Sequence, residues 1–371
     1  MFPEHQQVEE FKRLVVQDVL NKVFRDMNGG NGKSRTAEEI LGGPLTPANI
    51  DAYQRHLGLA ELPEYGGDTT CLSIETSDGE FIVLDGGSGI RNCSKYVMQT
   101  WPANKPRELY LFGTHEHLDH RSGLPFSQFC FVTPPFTLNI LGSYQFLRAL
   151  DERYGIFCRQ VNSSTHVDDP IDFHVMTANF RGIELRNPSL HDAEKWRQGA
   201  WEVRDSTKPV QIGKTTIHCF EVYHGQTRCL AYKIEHGDVK FVFCTDHELR
   251  HGPDATDPRE ARSAEAEARL IENCQDVDLA YFDGQYFLEE YWGKRGIGTT
   301  SPVSRVDWGH GCVEDAVARS KRCRIKRTLI GHHDPERSWV SRLELDRWLQ
   351  KYCEGQPYKV ELAKSEEVID L

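Results

Sequence analysis

Apolar residues in this chain gather in short runs, and each run is closed by a residue able to carry chemistry. Phe81-Ile82-Val83-Leu84 leads into Asp85, and Leu109-Tyr110-Leu111-Phe112 into Thr114-His115. Phe241-Val242-Phe243-Cys244 leads into Asp246, Leu279-Ala280-Tyr281-Phe282 into Asp283, and Thr328-Leu329-Ile330 into His332. Such runs predict strands buried on both faces. A buried strand is a rigid mount, so a His or Asp at its carboxyl end projects into a cleft from a fixed position. Five strands ending this way predict one shared site. Helical periodicity predicts helices over 259–273, 313–322 and 338–352.

Before Tyr65 the texture differs. Val16, Val19, Leu20, Val23, Phe24 and Met27 recur at helix spacing, and Asn28-Gly29-Gly30 ends the run. A turn at Gly42 and a short helix over about 47–57 follow. The pattern predicts an N-terminal helical extension over 1–64 and a main domain over 65–371. The first helix is read as packing on the main domain, with a homodimer contact as the alternative. Residues from about 143 to 206 are less regular and carry both signs of charge, which predicts an insertion or lid containing some helix. There is no clear internal repeat and no low-complexity tract.

Composition narrows the class. Hydrophobic residues make up 39% and charged residues 27% of 371 residues, ordinary for a globular enzyme, and the formal net charge is −12. That charge disfavours a large nucleic-acid substrate, because phosphate contacts need Lys and Arg. No stretch reaches the roughly 20 apolar residues that span a bilayer, so no membrane partner is expected. The first residues lack the basic and apolar regions of a secretory signal. The 11 cysteines are odd in number and scattered without CxxC pairs. They read as free buried thiols of a cytoplasmic protein.

The strongest chemical signal is Thr114-His115-Glu116-His117-Leu118-Asp119-His120, with three imidazoles and a carboxylate in six residues just past a strand. Imidazole nitrogen and carboxylate oxygen are the usual donors to zinc and similar ions. His115 and His117 alternate and can share a face, while Asp119 and His120 follow a turn and can reach a second ion.

This motif resembles the HxHxDH signature of the metallo-β-lactamase superfamily, and the resemblance extends over about 65–363. Leu84-Asp85-Gly86-Gly87 is similar to the family's first motif, in which the Asp supports the metal loop from behind. His224, Asp246 and His332 match the later ligand positions. The resemblance implies an α/β fold: an αββα sandwich of two mixed β-sheets flanked by helices. It also implies two divalent metal ions. One would be held by His115, His117 and His224, the other by Asp119, His120 and His332, with Asp246 and a hydroxide bridging them. His333 competes with His332 for one role, and His332, nearer the strand end, is preferred. His247 is read as a supporting or exposed group rather than a ligand. Zinc is favoured by the histidine count, and manganese suits a His/Asp site almost as well.

Two ions about 3.5–4 Å apart suit hydrolysis of phosphodiesters, and also of esters, lactones and amides. Three features point to phosphodiesters. The bridging position holds Asp246, where zinc β-lactamases of the family have Cys. Asp307-Trp308-Gly309-His310-Gly311 resembles the Gly-His-Ser-Thr stretch of the tRNase Z-like branch, although Gly311-Cys312 replaces Ser-Thr. Stretches around Asp68 and Asp283-Gly284 are similar to those of small phosphodiesterases acting on cyclic nucleotides, which usually carry Asn and Ala where Asp68 and Gly284 stand. The expected substrate is therefore a small cyclic nucleotide or cyclic phosphate. Asp119 would take or orient the hydroxide's proton, and His310 would protonate the leaving oxygen, oriented by Glu314. Arg337 is read either as a phosphate contact or as a surface residue. The alternatives are a tRNA 3′-processing endonuclease, a carboxylic-ester, lactone or thioester hydrolase, and a degenerate binding module.

Overall fold

The structure is a computed structural model that describes residues 35–56, 64–157, 175–189, 201–252 and 256–371, with Val23, Arg25 and Met27. The proposed helix over 16–27 lies outside the described residues apart from those three, which are helical. Two short helices precede the main body: α1 (Ala37–Leu41), capped by Thr36, and α2 (Pro47–His56).

Among the described residues thirteen strands form two mixed sheets. The first holds six strands in chain order: β1 (Leu72–Glu75), β2 (Phe81–Leu84), β3 (Glu108–Phe112), β4 (Thr137–Gly142), β5 (Asn179–Arg186) and β6 (Glu202–Asp205). From β2 to β6 they run parallel. The second holds β7 (Val210–Ile212), β8 (Thr215–His224), β9 (Thr227–His236), β10 (Val239–Cys244), β11 (Leu279–Asp283), β12 (Arg327–Gly331) and β13 (Lys359–Leu362). Its β7–β10 half is antiparallel and its β10–β13 half parallel.

Strand alternation decides which face each side chain covers. In β2, Ile82 and Leu84 pack with Phe112, Tyr232 and Phe243 between the sheets. Phe81 and Val83 turn the other way, towards α3 (Ile90–Thr100) and α4 (Tyr144–Tyr154). In β10, Phe241 and Phe243 face the inter-sheet layer. Val242 and Cys244 face α5 (Pro258–Asn273), α7 (Val313–Cys323) and α8 (Trp339–Tyr352). A short α6 (Leu288–Tyr291) follows β11. The expected αββα layering is present, and the fully apolar runs are the strands covered on both faces. Helix starts are set locally: the Asp257 side chain caps α5 with Pro258 in its first turn, and Ser338 caps α8.

Within 143–206, the segment read as an insertion or lid, the described residues hold α4, β5 and β6, and the two strands extend the first sheet. Their apolar signal is diluted because β6 is an edge strand with exposed Glu202, Val203 and Arg204. No helix of the described residues is long and apolar enough to cross a membrane.

Candidate metal centre

The parallel strands β2, β3, β10, β11 and β12 end along one edge of the sandwich, where open α/β sheets place their crevices. At three of these ends the chain turns sharply: Asp85, Asp246 and His332 have φ of 60°, 50° and 54°. This left-handed conformation costs a non-glycine residue roughly 1–2 kcal/mol. Here it swings each side chain out of the strand line towards a common point.

Asp85 organises the loop after β3. It accepts the Thr114 N–H at 2.8 Å and the Thr114 hydroxyl at 2.9 Å, and it lies 2.8 Å from His120 Nδ1. With that nitrogen donating to Asp85, His120 Nε2 is left as a bare lone pair. His224 is held the same way, its Nδ1 2.7 Å from the Gly309 carbonyl oxygen. Its Nε2 therefore points a lone pair at His117 Nδ1, 3.1 Å away. A close contact between two imidazole nitrogens is repulsive unless a proton or a cation lies between them.

Among the described residues the donors fall into three overlapping groups: His115, His117, His224 and Asp246; Asp119, His120 and His332; and Asp246, Asp283, His310 and His332. Asp246 Oδ2 is 3.5 Å from His115 Nε2 and 3.6 Å from His224 Nε2. Its Oδ1 is 3.4 Å from His120 Nε2 and 3.2 Å from His332 Nε2. Asp119 Oδ2 closes the second set, 3.4 Å from His120 and 3.3 Å from His332. A tetrahedral ion with bonds of about 2.0–2.1 Å separates its donors by about 3.3–3.4 Å. The side-chain Nε2 atoms of His115 and His120 are buried without a hydrogen-bond partner among the described residues. Both observations fit two divalent ions bridged by Asp246. His117 lies at the exposed rim of the centre and the other donors deeper.

The electrostatics of the centre agree. Burial pulls His332 down, but Asp246, the hydrogen bond to Asp119 and Asp283 outweigh it and push the imidazole up to about 9. Burial alone dominates at His224, which falls to about 4. Asp119 is held far below the usual carboxylate range, since His120 and His332 overcome its burial. Carboxylates that keep buried imidazoles protonated mark a place for positive charge.

The remaining expected residues divide. His310 enters the centre: its ring stacks on His332 at 4.9 Å, and its Nδ1 lies 3.0 Å from Asp283 Oδ2. Asp283 also accepts the N–H groups of Gly311 and Gln285. Asp283 therefore orients His310, and Glu314 does not: the Glu314 carboxylate accepts the Leu288 N–H instead. Arg337 is neither at the surface nor free for phosphate. It is 3% exposed and pairs with Glu290 at 2.5 Å. His247 faces away, bound to Glu267 at 2.9 Å. His333 belongs to none of these donor groups, and both its ring nitrogens are buried without a hydrogen-bond partner among the described residues. His236 stands apart with Asp78 and Glu80 at the opposite surface turn, where Lys214 pairs with Asp78.

One residue escaped the sequence reading. Glu248, fully buried, accepts the Gly309 N–H at 2.8 Å, the Asp307 N–H at 2.9 Å and the Tyr291 hydroxyl at 2.5 Å. It thereby pins the stretch whose carbonyl orients His224 and whose next side chain is His310. Its sole sequence signal was proximity, two residues past Asp246. Gly309 is required in that stretch: its φ is 85°, and a Cβ there would lie 2.0 Å from the His224 ring.

The sequence matches no family model and no curated protein. Among solved structures, Zn2+-bound PqqB from Methylobacterium extorquens is similar at a TM-score of 0.52 and 14% identity, over 85% of this chain and 92% of that one. The metallo-β-lactamase fold protein YhfI from Bacillus subtilis is similar at 0.47 and 18% identity, over 82% of this chain and 95% of that one. Unliganded yeast PDE1 is similar at 0.48 and 14%, over 81% and 93%. Of the three, the PqqB likeness has a TM-score above 0.5, and at 14% identity it speaks for the fold alone. Two mixed sheets between helices, with the donors of the HxHxDH loop and the later strand ends at one edge, give this chain the metallo-β-lactamase fold.

Proposed function

We propose that the chain is a dinuclear-metal-dependent phosphodiesterase acting on a small cyclic nucleotide or cyclic phosphate. The observation that carries this reading is the His310–Asp283 pair set against a complete two-ion donor set. His115, His117 and His224 would hold one ion, Asp119, His120 and His332 the other, and Asp246 both. Zinc is favoured, with manganese as the alternative. Bound there, two divalent cations lower the pKa of water and neutralise charge on phosphoryl oxygens.

The chain's own residues supply the rest. Asp119, with its side chain 41% exposed, has a carboxylate oxygen free to take the proton of the attacking water. His310 donates its Nδ1–H to Asp283, which fixes the ring's orientation. As an imidazolium it would offer its Nε2–H to the oxygen that leaves phosphorus. Protonation matters most for a sugar alkoxide, a poor leaving group, and contributes roughly 10²–10⁴-fold in comparable sites. The net charge of −12 favours a small substrate over a long nucleic acid.

The test is a turnover panel with zinc- or manganese-loaded protein: bis-p-nitrophenyl phosphate, cyclic AMP, cyclic GMP, a 2′,3′-cyclic nucleotide, a precursor tRNA and a homoserine lactone. Turnover of the small phosphodiesters is the expected result. Turnover of the lactone alone, or of the tRNA alone, would replace the reading.

A further inference from the structure

Trp308 is 50% exposed, although Gly309 beside it is buried and His310 lies in the metal centre. The stretch beneath this bare indole is held on both sides. Asp307 is pinned by Arg250 and by Arg259, the latter at 2.7 Å, and Gly309 is bound by Glu248 and His224. The indole is therefore carried on a fixed mount beside the reacting groups.

Arg305 covers part of it. Its guanidinium carbon lies 4.2 Å from the Trp308 ring centroid and 5.9 Å from that of Tyr286. Tyr286 in turn meets the His310 ring edge-on at 6.2 Å. Unlike Arg250 and Arg259, Arg305 has no carboxylate ion pair among the described residues. Across the centre, Leu118 is 63% exposed between the donors His117 and Asp119. The rings of His117 and His310 both contact His224, at 4.9 and 5.3 Å, so Leu118 and Trp308 sit on loops that flank the same ligand. Two bare apolar side chains and an uncompensated guanidinium around an acidic, cation-binding cleft suit a planar ring tethered to an anion.

We infer that Trp308, stiffened by Arg305, is the stacking platform for the nucleobase of a nucleoside phosphate. This rests on the phosphodiesterase reading and narrows it, from cyclic phosphates in general to those bearing a base. Stacking uses the π-face that every base has, so the subsite favours nucleotides over base-free sugar phosphates with little choice among bases.

Zinc-loaded wild-type, Trp308→Ala and Trp308→Phe proteins are titrated calorimetrically with AMP and with ribose 5-phosphate. The wild type is expected to bind AMP roughly 5- to 100-fold more tightly than ribose 5-phosphate, with Phe keeping most of that ratio and Ala bringing it to about one. Equal ribose 5-phosphate affinity in all three shows an intact centre. A ratio near one in the wild type, or one unchanged in Trp308→Ala, overturns the inference. The hydrolytic reading is decided separately: AMP preference without turnover of any phosphodiester keeps the subsite and removes that reading, and turnover without the preference does the reverse.

Discussion

The Glu248 carboxylate accepts the Gly309 N–H at 2.8 Å, and through that bond a buried glutamate sets the position of His224, a candidate metal donor, because the Gly309 carbonyl holds His224 Nδ1 at 2.7 Å. Groups that orient a ligand from behind typically govern affinity or activity by 10- to 100-fold. Glu248→Gln keeps the shape and loses the charge. It is expected to weaken uptake of the ion bound by His115, His117 and His224 by roughly 10-fold or more, read by competition with a chelating dye. Gly309→Ala drives a Cβ into the His224 ring and is expected to lose that ion outright.

His310 and Asp283 make a separable prediction. His310→Ala is expected to slow turnover of a cyclic nucleotide by roughly 10²–10⁴-fold and to slow an activated p-nitrophenyl ester far less, with both ions retained by elemental analysis. Asp283→Asn is expected to follow the same leaving-group pattern with a smaller loss. Equal losses on both substrates would assign His310 a structural role.

Asp246 reaches donors on both sides of the centre, Oδ2 facing His115 and His224 and Oδ1 facing His120 and His332. Asp246→Ala is therefore expected to lose both ions and all turnover, whereas His332→Ala is expected to keep one. Chelation of the wild type should abolish activity, and zinc or manganese should restore it. Full occupancy in Asp246→Ala would refute a shared carboxylate.

Glu267 governs acid stability. Burial opposes its ionisation, but Arg319, at 2.8 Å, and the hydrogen bond from His247 outweigh burial and hold its carboxyl well below the usual range. A depressed carboxyl stabilises the fold above its unfolded pKa of about 4.3, and that contribution is lost as pH falls further. Thermal unfolding followed from pH 7 to pH 3 should show Tm falling below pH 4.3, with a shallower fall in Glu267→Gln. At pH 7 that variant, which leaves Arg319 buried and unpaired, should be less stable by about 3 kcal/mol.

Much of this molecule was legible from local pattern. The five apolar runs are β2, β3, β10, β11 and β12, and the helices expected over 259–273, 313–322 and 338–352 are observed at Pro258–Asn273, Val313–Cys323 and Trp339–Tyr352. The strands β5 and β6 escape the apolar pattern because β5 begins with partly exposed residues and β6, at the sheet edge, is exposed along most of its length. Glu314, which the sequence analysis names as orienting His310, lies four residues from it in the chain and binds the Leu288 N–H instead. Asp283, 27 residues distant, holds that place because β11 ends beside the His310 loop.

By itself the sequence determined the strand ends, the helices and the candidate donors, since alternation, capping and residue chemistry are properties of neighbouring positions. Tertiary structure alone decided which donors share an oxygen of Asp246, that Arg337 is spent on Glu290, and that Glu248 and the Gly309 carbonyl support the centre. Those relationships join residues tens to hundreds of positions apart, often through backbone N–H and C=O groups that every residue carries. Only packing the two sheets together brings them within bonding distance.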